Sequence, residues 1–313
     1  MSVLMPYLEP VIAQVSARRP VRTGSLLFTV MGDIVVPRGE VVWLGSIVQL
    51  LEPFGISHGQ VRTAVMRLRR EDWLTRESVG RRSFVGLTEP GRRRLDEATS
   101  RIYGDEPEPW SGGWTILLFP AGLQPRDSIR QALGWLGFGT LSHQAFLHPN
   151  PDRRALQSLV ADAHQQLPPH AAPILIEGQS AHELLAEGGH ASLTRLVENC
   201  WTLEPLQTSY DRLLAQFGPL ADVLASRVAI EPREAVLLRV ALIHEYRRVL
   251  LRDPWLPPAW LPEGWIGREA RKLVSFVYRV ILGPAEAWLD EHLEGPEGPL
   301  PASTSTILAR LRT

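Results

Sequence analysis

The chain has 313 residues, 44% of them apolar and 21% charged, which excludes a disordered chain and leaves room for two or three cores. The formal net charge of -1 hides an uneven distribution. From Arg18 to Arg101 there are 15 arginines against nine carboxylates, and the rest of the chain is acidic in compensation. A basic first third on an acidic body suits a nucleic-acid-binding module joined to a sensor or oligomerisation body. The basic residues are almost all arginine, Lys272 being the single lysine, and genomic codon bias accounts for that choice. Cys200 is the sole cysteine, so no disulfide closes within the chain and cysteine-rich zinc frameworks are excluded. A reducing cytoplasm is the expected compartment. With no run of 18 apolar residues, no membrane partner or signal peptide is expected.

In chain order, residues 1–22 read as a loose N-terminal arm. Residues 25–35 (SLLFTVMGDIV) have the apolar density of a buried helix, broken by Pro-Arg-Gly at 37–39. A second helix spans 42–55, with Pro53 and Gly55 as its stop. Ser57 is placed to cap a third helix ending near Glu71. Residues 73–88 form two short strands around a turn at Gly80, and 92–103 a closing helix. Three helices followed by a hairpin, within 23–103, is the order of a winged helix-turn-helix.

At about 100° per residue, Val61, Val65 and Leu68 share the inner face of the third helix. Gln60, Thr63, Arg67 and Arg70 face outward, with Arg62 and Arg69 on one flank. Arginine pairs with guanine edges or phosphates, glutamine with adenine and threonine with either, so this front suits the major groove. At the hairpin tip, Arg81 and Arg82 are placed to reach phosphates or the minor groove. A solvated basic face on an ordinary amphipathic helix accounts for any one of these arginines; the combination with the topology, cap and basic tip favours double-stranded DNA.

Residues 104–113 (GDEPEPWSGG) have linker composition. From 114 to 179 the pattern alternates: strand 114–120, helix 126–139, a second strand in 140–149, helix 153–167 and strand 172–179. A small ferredoxin-like α/β sandwich fits, so the chain as a whole is α+β. Residues 180–295 read as a helical C-terminal domain, and 296–313 as a flexible tail.

The helix from Pro232 to about Arg252 is apolar until His244-Glu245-Tyr246-Arg247-Arg248 intrudes. Buried charge needs partners. Either Glu245 and Arg248 form an internal network at helical spacing, or the arginine pair and His244 line an anionic ligand site. The Pro-stiffened loop 253–265 carries Trp255, Trp260 and Trp265, to wall an aromatic pocket or to cap the helices. The zinc-protease pattern that His244-Glu245 suggests fails, because Arg248 stands where the second histidine is needed. No metal-ligand spacing, cofactor motif or catalytic set appears.

Residues 32–91 resemble the DNA-binding domain of the phenylacetic-acid-degradation repressor family, the PaaX-like regulators. The resemblance rests on Gly32-Asp33, Trp43-Leu44-Gly45, Pro53-Phe54-Gly55-Ile56, Val61-Arg62-Thr63 and the turn Val79-Gly80-Arg81-Arg82-Ser83. It continues through WTILLFP (114–120), ALGWLGFGTL and LIHEYRRVLLRDPWLPPAWLPEGWIG. It implies a repressor released by an acyl-CoA effector, typically phenylacetyl-CoA. Arg247, Arg248, Tyr246 and the Trp255 loop match such a ligand in kind: cations for phosphates, an aromatic slot for the acyl group. The family's middle region is similar to small CRISPR-associated ferredoxin-like nucleases, which raises a metal-dependent nuclease as the rival. That chemistry needs an acidic residue at the end of the first strand, where Phe119-Pro120 stand and no carboxylate follows until Asp127. A homodimer on a palindromic operator is expected, since one short helix reads too few base pairs.

Overall fold

The computed structural model describes residues 2–17, 23–104, 110, 112–120, 122, 125–167, 172–179 and 189–311. The chain packs into two units: Met1–Asp105, Asp211–Arg248 and Arg268–Thr313 form one, Glu106–Tyr210 and Val249–Gly267 the other. This division cuts across the expected helical domain 180–295, whose segments are shared between the units. Most of the expected linker 104–113 lies outside the described residues. Among those described, no helix is long and apolar enough to cross a membrane.

The first unit opens with helix α1 (Met5–Ala17), not a loose arm. The Ser2 hydroxyl accepts from the backbone N–H groups of Leu4 and Met5 and so caps it. Leu4, Leu8 and Val11 are buried, and the helix packs on the turn at Glu52–Phe54. Burial of a stripe at helical spacing holds this segment in place. Helix α2 (Thr23–Val30) widens into a π turn at Met31–Val35, then tightens into a 3-10 turn at Val36–Arg38 that stops at Gly39, φ +113°.

The second expected helix is shorter than predicted. Val42 and Trp43 pair as strand β1 (Val42–Trp43) with Val85 and Phe84 before helix α3 (Leu44–Leu51) begins. Helix α4 (His58–Arg70) and the hairpin of strands β2 (Leu74–Val79) and β3 (Arg82–Leu87) follow, completing an antiparallel sheet in the order β1-β3-β2. Helix α5 (Glu89–Tyr103) starts earlier than expected, because Thr88 Oγ1 caps it by accepting from Gly91 N–H, with Pro90 in its first turn.

The second unit holds strand β4 (Gly113–Leu118), helix α6 (Asp127–Trp135), strands β5 (Gly139–Thr140) and β6 (Ala145–His148), helix α7 (Arg153–Gln166), strand β7 (Ile174–Gln179) and helix α8 (Gly189–Cys200). The single strand expected in 140–149 is thus a short hairpin. The antiparallel sheet runs β5-β6-β4-β7, the β-α-β-β-α-β connectivity of a ferredoxin-like domain. Strand alternation sends Leu117, with Phe119 beyond the strand end, to a core with Ile129, Leu133, Phe146 and Leu156, while Trp114 and Ile116 face the other side. That second face is covered by α8 and by the loop 249–267: Trp260 stacks on Trp114 at 5.0 Å and 4°, with Trp201, Leu203 and Leu256 around them. Trp260 and Trp265 of the Pro-rich loop therefore belong to the sheet's core.

Helices α9 (Glu204–Ala225), α10 (Pro232–Leu250) and α11 (Gly267–His292) supply the remaining helical segments. After α11 comes the hairpin of strands β8 (Glu294–Gly295) and β9 (Gly298–Pro299), then a 3-10 turn at Ser305–Ala309. Leu300, Ile307 and Leu311 are buried, so this stretch is a packed part of the first unit rather than a flexible tail.

Candidate nucleic-acid interface

Helix α4 begins with a reciprocal cap. Ser57 Oγ accepts from Gln60 N–H at 3.3 Å, and Gln60 Oε1 accepts from Ser57 N–H at 2.8 Å. Val61, Ala64, Val65 and Leu68 are buried on its inner face. Arg62, Thr63, Met66, Arg67, Arg69 and Arg70 are exposed on the other. The hairpin beside it closes through a two-residue turn between Val79 and Arg82, where Gly80 has φ +60°, the sign that the first position of a type II′ turn requires.

The expected contact residues differ in how free they are. Among the described residues, Arg62, Arg69, Arg70 and Arg81 have no carboxylate partner, and all four are exposed. Arg67 lies 3.8 Å from Glu71 one turn along the helix, a weak exposed pair. Thr63 Oγ1 donates to Gly59 O at 2.9 Å, and the Gln60 carbonyl oxygen is held by the cap. Arg82 is exposed but partnered. It pairs with Glu294 and lies 4.6 Å over the Trp43 ring, with its side chain half exposed. Met66, half-exposed, lies outside the set expected from the sequence, though its wheel angle beside Arg62, Thr63 and Arg70 was legible there.

Behind this surface lies a buried ionic cluster that sequence reasoning missed. Asp33, 2% exposed, receives Arg239 Nε at 2.6 Å, Tyr103 Oη at 2.6 Å, Tyr278 Oη at 2.9 Å and Arg310 Nη1 at 3.2 Å. Arg239 also pairs with Glu286, which with Asp290 holds the fully buried Arg38. Burial opposes ionisation of Asp33, but Arg239, Arg310 and the hydrogen bonds outweigh it and leave the carboxyl below its ordinary value. The Tyr103 and Tyr278 hydroxyls are pushed up by burial and by the carboxylate they face. Two signals were available: an aspartate inside SLLFTVMGDIV and an arginine inside AVLLRVALI. Each needs a partner, but no local spacing says which.

Of the expected effector residues, His244 and Arg247 meet at the Thr29 hydroxyl, and the others have separate surroundings. His244 and Tyr246 are buried, with His244 Nδ1 3.1 Å from Thr29 Oγ1. Arg248 is paired with Glu245 at 3.3 Å, the internal network foreseen as one alternative. Trp255 belongs to the second unit, with its backbone N–H on Asp253 Oδ1 at 2.8 Å. Arg247 is held differently: its guanidinium donates to Ser25 O at 2.8 Å and Thr29 Oγ1 at 3.1 Å, both neutral groups on α2. Burial lowers its pKa from the ordinary arginine value, and among the described residues it has no carboxylate partner.

Family comparisons place this architecture. The PaaX-like protein profile matches residues 22–91, the PaaX protein central Cas2-like domain residues 107–173, and the PaaX-like protein C-terminal domain residues 201–291. The chain belongs to the PaaX-like family. The transcriptional repressor PaaX of Escherichia coli (strain K12) is 34% identical over 294 residues, 93% of this chain and 90% of that protein. Among solved structures, the uncharacterized protein Rv0674 from Mycobacterium tuberculosis covers 82% of this chain and 96% of its own, at 20% identity and a TM-score of 0.48.

Proposed function

We propose that the chain is a DNA-binding transcriptional repressor of an aromatic-acid catabolic operon of the phenylacetate type. The observation that carries this reading is the outward face of α4, where Arg62, Arg69 and Arg70 stand exposed over a buried apolar back and, among the described residues, without a carboxylate partner. In this reading α2, α3, α4 and the β2-β3 hairpin work as a winged helix-turn-helix, with α4 in the major groove and Arg81 on the backbone or in the minor groove. Gln60 and Thr63 act through what their local hydrogen bonds leave free, and Arg67 through an exposed pair that a phosphate displaces. Kinship with a protein named a transcriptional repressor supports the class. The protein acts as a homodimer, setting two α4 helices about one DNA turn or a multiple apart on a palindrome.

The releasing effector is an acyl-CoA such as phenylacetyl-CoA, and Arg247 is the cation best suited to meet its phosphates. A half-buried guanidinium held, among the described residues, by the neutral Ser25 O and Thr29 Oγ1 gains a full charge partner when an anion arrives. The exchange loosens its hold on α2, the first helix of the DNA-binding module. Release follows only if the effector favours the state in which α2 and α4 no longer fit the groove.

Fluorescence anisotropy on the protein's own upstream DNA, at two salt concentrations and with and without phenylacetyl-CoA, tests both parts. The expected result is sequence-specific, salt-sensitive binding that the thioester reverses. Specific binding indifferent to the thioester discards the effector and keeps the repressor; absence of specific binding at either salt discards both. Changing Arg247 and Arg248 together to alanine is expected to weaken thioester binding, and unchanged affinity removes them from the site.

A further inference from the structure

Within residues 23–104, large apolar side chains are exposed at two described positions, Met66 (43%) and Val79 (58%). Both lie on the DNA-facing elements of the proposed reading, α4 and the hairpin tip. Met66 is one turn from Arg62 and Thr63 on one side and from Arg69 and Arg70 on the other, so it sits near the middle of the outward face. Helical side chains lean toward the N-terminus, which lays Met66 over the turn of Arg62 and Thr63. Its sulfur is 3.8 Å from Arg76 Nη1, and Arg76 is itself fixed by Nη2 donating to Ser83 Oγ at 2.8 Å. The thioether is therefore steadied by the hairpin, while the side chain stays open to solvent.

The edges of base pairs in the major groove offer hydrogen-bonding groups and one apolar group, the C5-methyl of thymine. Thr63 has committed its proton to Gly59 O and Gln60 its oxygen to the cap. Gln60 keeps its amide donors and Thr63 its lone pairs and small methyl, and Met66 is the large apolar side chain that this face exposes among the described residues. We infer that Met66 is a specificity-determining residue that packs against a thymine methyl in each operator half-site, between bases or phosphates held by Arg62 and Arg70. Charge selects the occupant. Arg62, Arg67, Arg69 and Arg70 surround Met66 on one helix, so a second copy of this face would meet like charge, whereas duplex DNA meets opposite charge.

The inference rests on the repressor reading, and the experiment separates the two. Full-length protein is bound to its footprinted operator, with each thymine replaced singly by deoxyuridine, which deletes only the methyl group. One thymine per half-site should then show about fourfold weaker binding by the native protein, the worth of one buried methyl. The Met66→Ala variant should be indifferent to that same replacement, while Met66→Leu keeps the sensitivity. Met66→Ala should also keep the native salt dependence, because no phosphate contact is lost. Methyl sensitivity equal in the native and alanine proteins at every thymine, with specific binding intact, overturns the inference and spares the repressor. Loss of specific binding by the native protein overturns both.

Discussion

Replacing Asp33 with alanine removes the acceptor on which Arg239, Arg310, Tyr103 and Tyr278 converge. Removing one member of a buried ion pair costs roughly 3–5 kcal/mol, because the other charge is left in a poor solvent. Arg239 keeps Glu286, so the low end applies, about 3 kcal/mol. For a unit of this size that lowers Tm by about 6–12 °C. Calorimetry or circular dichroism of the full chain measures it, with Arg62→Ala as an exposed control expected within about 0.5 kcal/mol of the native protein. The acid limb gives a second reading. The folded Asp33 carboxyl lies below its ordinary value, whereas in the unfolded chain it takes up its proton near pH 4, by about 3.9. Its contribution is therefore fully present above that pH and is lost as pH falls through the folded value. Asp33→Ala should lack this portion of the acid limb. A loss below about 1 kcal/mol, with an unchanged acid limb, would refute the view that the cluster holds the unit together.

Arg81→Ala should weaken DNA binding and reduce the salt slope by about 0.9, the mark of one lost phosphate contact, while Arg82→Ala leaves the slope unchanged. Equal slope changes in salt titrations would show that Arg82 leaves Glu294 and Trp43 to reach DNA. Ser57→Ala should destabilise α4 by about 1 kcal/mol in urea unfolding, and no change would show that the reciprocal cap is idle. A chain ending at Thr304 should lose about 3 kcal/mol or more, because Ile307 and Leu311 leave buried positions and Asp33 loses Arg310. A melting curve identical to that of the full chain would return this stretch to the status of a tail.

Much of the interface was open to reading from local pattern. The inner stripe of α4, the cap at Ser57 and the turn at Gly80 each follow from a neighbour within four residues, and the structure places all three. The strand and helix order of 113–179 was legible for the same reason, apart from the break that turns 140–149 into a hairpin. The N-terminal helix was missed because its apolar stripe is short and interrupted by Pro10, and its partner at Glu52–Phe54 is far along the chain.

What the sequence determined by itself is most of the elements between 23 and 179 and the chemistry they present outward, because propensity, capping and periodicity act over a few residues. What only the tertiary structure decided is which buried charges meet. Asp33 and Arg239 lie 206 positions apart, and Asp33 and Arg310 are separated by 277. Asp33 and Arg239 are charges inside apolar stretches, but their pairing depends on how α2, α5, α10, α11 and the final turn pack. The same packing paired Arg82 with Glu294 and assigned Trp260 to the face of a sheet that begins more than a hundred residues earlier. Desolvation penalises every one of these groups unless a partner arrives, and the partner's identity is written in the fold rather than in any stretch of the chain.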